Sequence, residues 1–314
     1  MVATLHFLEA RVINRDNQCG DLVTASKSSY NTAKRLFQVP EKHSTQVEYD
    51  QNINGNIIYS TLKGIYTLKR EDNSQLLTSQ VVVKPLHHVT GFAQLNSVQL
   101  VIVENRAHCI KSYNRQTNIL KTLAGTCGSS GYFNGIFTKA IFSSPLHIHS
   151  IDKSRLLVTD YYNRALRMLD TISNNVSTFA HIRSDFPRAV TVDNNNQQVF
   201  VATTTELLKI NLKDKQLTVL SWHHSNRLNS YSHSSIFWKP TSIVRVSDSQ
   251  LIVADDNNQF KSLNLNKKTF SHMKAKAKVS TMMLLSECKG LLIGEPSGTL
   301  SYLPFPGMQT FIPM

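Results

Sequence analysis

His147-Ile-His-Ser-Ile-Asp-Lys-Ser-Arg-Leu-Leu-Val-Thr-Asp160 is a short apolar-polar strand, a polar turn, and a second strand, Leu157-Val-Thr-Asp160, that ends on a carboxylate. The spacing of 13 residues from His147 to Asp160 recurs from Gly91 to Glu104 in Val101-Ile-Val-Glu104, and from Ser242 to Asp255 in Ile252-Val-Ala-Asp255. A fourth copy, from Ala189 to Thr203 in Phe200-Val-Ala-Thr203, is one residue longer and ends on Thr. Self-similarity at a fixed spacing marks one supersecondary unit used repeatedly.

Beyond each carboxylate the chain continues alike. Asp160 is followed by Tyr161-Tyr-Asn-Arg-Ala-Leu-Arg167, Glu104 by Asn105-Arg-Ala-His-Cys-Ile-Lys111, and Asp255 by Asp256-Asn-Asn-Gln-Phe260. Each is a polar turn leading into alternating apolar and basic residues, the period-2 pattern of a strand. A turn rich in Asn, Asp, Lys or Thr follows, then a last strand such as Ile119-Leu-Lys-Thr-Leu-Ala124 or Leu217-Thr-Val-Leu220. The unit is a four-stranded antiparallel meander of roughly 40–50 residues, which is the size of a propeller blade. Fainter units cover 46–83 and 279–312, so the sequence predicts an all-β propeller of six blades over residues 45–314, with seven as the alternative. Residues 1–44 also read as β, either as a closing strand or as an extra blade. A lone sheet of this size cannot cover both faces, and radial stacking buries the apolar residues between neighbours.

One stretch carries a family likeness. Thr122-Leu-Ala-Gly-Thr-Cys-Gly128, Gly131-Tyr-Phe-Asn-Gly135, Ala140-Ile-Phe-Ser-Ser-Pro145, Leu157-Val-Thr-Asp160 and Asn163-Arg-Ala-Leu-Arg167 together resemble the NHL-repeat β-propellers. The match is near complete over 120–170, partial over 89–114, 186–220 and 240–264, and faint elsewhere. Ala107 stands where the family has Asn, Gln259-Phe260 replace much of the Asn-His/Arg motif, and Thr203 replaces the Asp. The resemblance implies a fold that hosts unrelated functions, so function has to be read from sites.

Composition sets bounds. The 314 residues are 41% hydrophobic and 18% charged, enough apolar material for a packed core. No apolar run approaches the roughly 20 residues that cross a bilayer. Met1-Val-Ala-Thr-Leu-His-Phe-Leu-Glu9 lacks a basic start and is broken by His6 and Glu9, so it does not read as a signal peptide. The expectation is a cytoplasmic protein, unless the chain is a piece of a secreted or membrane protein. Cys19, Cys109, Cys127 and Cys288 show no zinc spacing. Cys109 and Cys127 either bridge a hairpin to the loop leaving it, or stand as free thiols; in simple register Cys109 faces position 124, so a bridge requires Cys127 to fold back.

The net charge of +13 points to an anionic partner or to solubility alone. Lys261, Lys267, Lys268, Lys274, Lys276 and Lys278 crowd into 18 residues. If Lys274-Ala-Lys-Ala-Lys278 continues a strand, three ammonium groups share one face, either guarding a sheet edge or binding RNA or another polyanion. The long connection between blades at 221–239 carries Trp222, His223, His224, Arg227, Tyr231 and His233, and aromatics with Arg are common interface anchors. With Tyr161, Tyr162 and Arg164 in the turn after Asp160, these form the candidate contact surface for a protein partner. Glu104, Asp160 and Asp255 are expected to be structural, accepting turn N–H groups or pairing with a cation such as Arg167.

An enzyme relative of the family, the peptide-amidating lyase, holds a central metal with histidines. The corresponding inner positions here are Gly91, His147, Ala189, Ser242 and about Met282, and only one is His. No cofactor and no metal site is therefore expected, and no nucleophile elbow or phosphate loop occurs. The sequence predicts a non-enzymatic binding or scaffold propeller, with RNA or polyanion binding as the alternative and a metal-dependent lyase or hydrolase as the least favoured reading.

Overall fold

A computed structural model describes residues 34–38, 44–49, 57–70, 77–183, 185–193, 197–220, 237–274, 278–285 and 290–304. Strand β1 (Lys34–Gln38) precedes the first blade, which is β2 (Ser44–Tyr49), β3 (Ile57–Thr61), β4 (Gly64–Arg70) and β5 (Leu77–Val83). Blade two is β6 (Val89–Gln94), β7 (Gln99–Glu104), β8 (Cys109–Asn114) and β9 (Ile119–Ala124). The short β10 (Gly135–Ile136) leads into blade three, β11 (Pro145–Ser150), β12 (Arg155–Asp160), β13 (Ala165–Asp170) and β14 (Asn175–His181). Blade four is β15 (Pro187–Val192), β16 (Gln198–Thr203), β17 (Leu207–Asn211) and β18 (Leu217–Val219). Blade five is β19 (Pro240–Ser247), β20 (Gln250–Asp255), β21 (Gln259–Asn264) and β22 (Thr269–Lys274), and blade six contains β23 (Thr281–Leu285), β24 (Gly290–Gly294) and β25 (Thr299–Pro304).

Every sheet is an antiparallel meander, and the innermost strands β2, β6, β11, β15, β19 and β23 touch in a closed ring. The molecule is a six-bladed β-propeller. The seven-blade alternative fails because β1 joins the sixth sheet: the order is β1-β25-β24-β23, with Gln38 opposite Thr299. The Thr299 hydroxyl donates to Gln38 Oε1 at 3.0 Å, across 261 residues of chain. Of the candidate β regions at 1–44 and 279–312, residues 1–33 and 305–312 lie outside the described residues.

The burial pattern follows from radial stacking. The second strands are the most apolar runs, and β7, β12, β16 and β20 are buried at all but their first residue, since each has a blade on both faces. The outermost strands β9 and β18 are largely exposed. Six apolar clusters fill the six gaps between blades; Ile148, Leu156 and Val158 pack on Val101 and Val103, for example, while Leu157 and Leu166 pack on Val190 and Val201. Each innermost strand of the first five blades is bulged near its start, as at Val89/Gly91, Pro187/Ala189 and Pro240/Ser242. A bulge bends the strand and re-aims one side chain. Here the side chain in the bulge reaches the following blade: Thr90 Oγ1 donates to Pro145 O (3.4 Å), Arg188 Nε to Pro240 O (2.7 Å) and Thr241 Oγ1 to Val279 O (2.7 Å).

Candidate functional site

In a four-stranded meander the turns after the second strands and the connections between blades must emerge at one end of the ring. This end is called the upper face below. A recess of about 210 Å³ opens there on the axis, lined by Thr90, His147, Arg188, Thr241, Asp256, Lys278 and Ser280 among others. The inner positions Gly91, His147, Ala189, Ser242 and Met282 all lie on innermost strands. His147 and His149 are crowded by protein, and burial lowers their pKa values to about 3 and about 4, so both rings are neutral at physiological pH. His147 Nδ1 has no hydrogen-bond partner. Deeper in the ring, burial raises the Glu48 carboxyl to about 7, against the opposing hydrogen bonds from Gln94 and Gln46. Among the described residues no three His, Cys, Asp or Glu side chains stand together as metal ligands.

The carboxylates that close the second strands tie the upper face together. Asp160 accepts from Ser143 N–H (2.7 Å), Asn163 Nδ2 (2.8 Å) and Arg167 NH1 (2.6 Å), with both members of the ion pair fully buried. Glu104 accepts His87 N–H at 2.8 Å, and Asp255 accepts Asn257 N–H at 3.0 Å and Lys261 Nζ at 2.6 Å. In blade four, where Thr203 replaces the carboxylate, the preceding connection supplies one instead. Asp185 accepts from the Thr203 hydroxyl (2.6 Å), Thr205 N–H (2.7 Å) and Phe186 N–H (2.7 Å). Burial pushes its pKa up, but these hydrogen bonds outweigh it and hold the group below its ordinary value. Sequence spacing missed Asp185, because its partner is fixed by the fold and not by the repeat.

The described lysines of 261–278 do not share one surface. Lys261 is buried, bonded to Asp255, and sits 5.2 Å from the Phe237 ring centroid. The reason is the strand's second face, which the neighbouring blade covers. Strand β22 ends at Lys274, and Lys278 is an exposed residue outside any strand, paired with Asp256 at 2.9 Å. Lys267 and Lys268 occupy the β21–β22 turn at the opposite end of the blade, about 20 Å from the upper face. Lys276 lies outside the described residues, and so do Trp222, His223, His224, Arg227, Tyr231 and His233.

Tyr161, Tyr162 and Arg164 do come together. Tyr161 stacks on Phe186 with centroids 5.0 Å apart, Tyr162 meets Tyr161 edge-on at 5.0 Å, and the Arg164 guanidinium lies 4.5 Å from the Phe186 centroid. Tyr162 is 64% exposed. Trp238, 54% exposed, stands in the next connection two residues before Pro240, with Lys239 beside its ring. Phe186 and Trp238 were not singled out from sequence, though each is one to two residues before the proline that opens an innermost strand.

Cys109 and Cys127 form a disulfide with Cα atoms 5.0 Å apart. The chain folds back through Gly125 at φ +92°, where a Cβ would meet Phe142, Cys109 and His108 at 3.0–3.2 Å, and Gly128 N–H reaches Ala107 O. The loop it pins then descends the outer edge of blade three, where β10 pairs with β14.

The comparisons with solved structures return the same architecture. The chain is similar to a nidogen/laminin complex structure (11% identity, 76% of this chain and 85% of that one, TM-score 0.59). It is similar to the WD40 repeats of RRP9 (9% identity, 87% and 97%, TM-score 0.59) and to a streptogramin B lyase (11% identity, 86% and 95%, TM-score 0.58). No family model matches the chain, and neither does any curated protein. At these identities the likeness establishes the propeller fold. No helix among the described residues is long and apolar enough to cross a membrane.

Proposed function

We propose that this is a non-enzymatic binding propeller of the NHL-repeat type, which holds a protein partner on its upper face. The observation that supports this most strongly is the Tyr161–Tyr162–Phe186–Arg164 cluster. It places exposed aromatic surface and a guanidinium on a rigid rim where two blades meet. Large aromatic side chains with Arg supply much of the affinity in protein interfaces, and a preformed cluster loses little entropy on binding. The carboxylates nearest this surface, Asp160 and Asp185, are buried and engaged in hydrogen bonds. They are thereby committed to holding loops in place, which favours a scaffold over a hydrolase.

The test is affinity capture of partners, identified by mass spectrometry, with wild-type protein and the triple variant Tyr162→Ala/Arg164→Ala/Trp238→Ala. The proposal expects loss of the captured partner with a melting temperature within a few degrees of wild type. Undiminished capture by a folded triple variant would remove the upper face from consideration.

A further inference from the structure

The positive charge is distributed unequally between the two ends of the ring. On the upper face every blade contributes a cation: Lys63, Arg106, Arg164, Arg188, Lys239 and Lys278 in blade order. All are exposed except Arg188, which is half-buried at the recess. Among the described residues of that face no carboxylate is exposed. Asp256, which also lines the recess, is neutralised there by Lys278 at 2.9 Å, Glu295 accepts the Ser297 and Ser301 hydroxyls, Asp185 is buried, and Glu206 is half-buried. The opposite end mixes signs: Asp152 pairs with Arg155 and Asp248 with Arg245, and Asp214 stands between Lys213 and Lys215. A ring of one sign around a concave mouth raises the local concentration of an oppositely charged ligand.

We infer that the partner segment held on the upper face is an acidic stretch of polypeptide, extended across the mouth, with one carboxylate seated in the axial recess against Arg188. This rests on the reading of that face as a partner surface and specifies its chemistry. Arg188 spends Nε on Pro240 O, which fixes its guanidinium at the recess and leaves its two terminal amino groups for a carboxylate, the bidentate geometry that favours Arg over Lys. The recess is too small for a folded element and fits a side chain. A single-stranded nucleic acid meets the same charge, but its bases require open aromatic faces. Here Phe186 already carries Tyr161 and Arg164, Tyr161 carries the edge of Tyr162, and Trp238 carries the Lys239 ammonium. The cluster thus offers ring edges and hydroxyl groups, which suit peptide side chains.

The experiment is fluorescence anisotropy with two probes, a fluorescein-labelled ten-residue glutamate peptide and a fluorescein-labelled ten-nucleotide uridine oligomer. The protein is tested as wild type, as Arg106→Glu/Lys239→Glu on the upper face, as Lys213→Glu/Lys267→Glu on the opposite face, and as Arg188→Gln at the recess. The peptide is expected to bind more tightly than the oligomer. Its affinity should fall on the order of tenfold in the upper-face variant, fall in Arg188→Gln, and stay within twofold in the opposite-face variant. Raising NaCl from about 50 to about 300 mM should weaken it progressively. Tighter binding of the uridine oligomer, equal losses from both faces, or no binding of the peptide overturns the inference. The partner-surface reading is judged separately, since capture lost in the aromatic variant while the peptide fails to bind would retain the face and discard the acidic chemistry.

Discussion

Arg167 shows what a buried charge requires in this fold. Its guanidinium donates to Asp160, Ile141 O, Phe133 O and Asn134 Oδ1, and lies 4.7 and 5.1 Å from the Tyr132 and Phe142 ring centroids. Arg167→Ala would leave Asp160 buried without its cation and would take one donor each from Ile141 O, Phe133 O and Asn134 Oδ1. A cost of about 3–5 kcal/mol is expected in urea unfolding, against a much smaller cost for the half-exposed Lys111, whose Nζ is 3.9 Å from Glu104. The channel residues make a pH prediction with two opposing signs. His147 and His149 have native pKa values below the unfolded value of 6.5, so below it the unfolded chain binds protons that the native state refuses, and stability falls as pH falls. Glu48 is raised from 4.5 to about 7, so the native state binds the extra proton and stability falls as pH rises through that window. Unfolding at pH 7 and pH 5 should therefore show His149→Asn spared about 2 kcal/mol of the acid loss that wild type suffers. Glu48→Gln should gain about 3 kcal/mol at pH 8 and nothing at pH 4. Identical pH slopes in wild type and variants would contradict the assignment.

At the scale of elements, the loop from Gly125 to Ser144 is held at three points: the disulfide, the β10–β14 pairing, and Arg167 reaching Phe133 and Ile141 carbonyls. The bridge closes 18 residues, and a loop of that length corresponds to about 3 kcal/mol of lost unfolded-state entropy. Cys127→Ser is expected to lower stability by about that amount and to open a new protease cleavage within 125–144, with the blades still folded. The repeat itself was legible because its physics is local: second strands apolar throughout, turns of Asn and Asp, a carboxylate at a fixed offset. The described lysines of 261–278 are spread apart for a nonlocal reason. Alternation says which residues share a face, but not that a neighbouring blade covers that face, as it does for Lys261, nor that a hairpin separates Lys267 from Lys278 by its own length. Asp185 was invisible because it replaces a missing repeat residue from outside the repeat. Of the candidate contact residues, only Tyr161, Tyr162 and Arg164 fall within the described structure, and Phe186 completes them from a different blade.

At the scale of the whole molecule, the site exists only because the ring closes. Six apolar gaps must all be filled, and the last one, between blades six and one, contains Phe37, Val47, Tyr59, Leu292 and Tyr302. Strand β1 supplies the outer edge of the sixth sheet from the opposite end of the chain, so the upper face depends on a contact between residues 261 apart. Phe37→Ala removes a large side chain from that gap and is expected to cost about 3 kcal/mol and to lower unfolding cooperativity, seen as a broadened calorimetric transition. The most direct measurement is a cross-link at the closure: the double variant Gln38→Cys/Thr299→Cys, oxidised under native conditions and mapped by mass spectrometry of unreduced peptides. A closed six-bladed ring predicts a 38–299 disulfide in most molecules and a higher melting temperature than the reduced form, whereas no such cross-link in folded protein would contradict the ring and the face built on it.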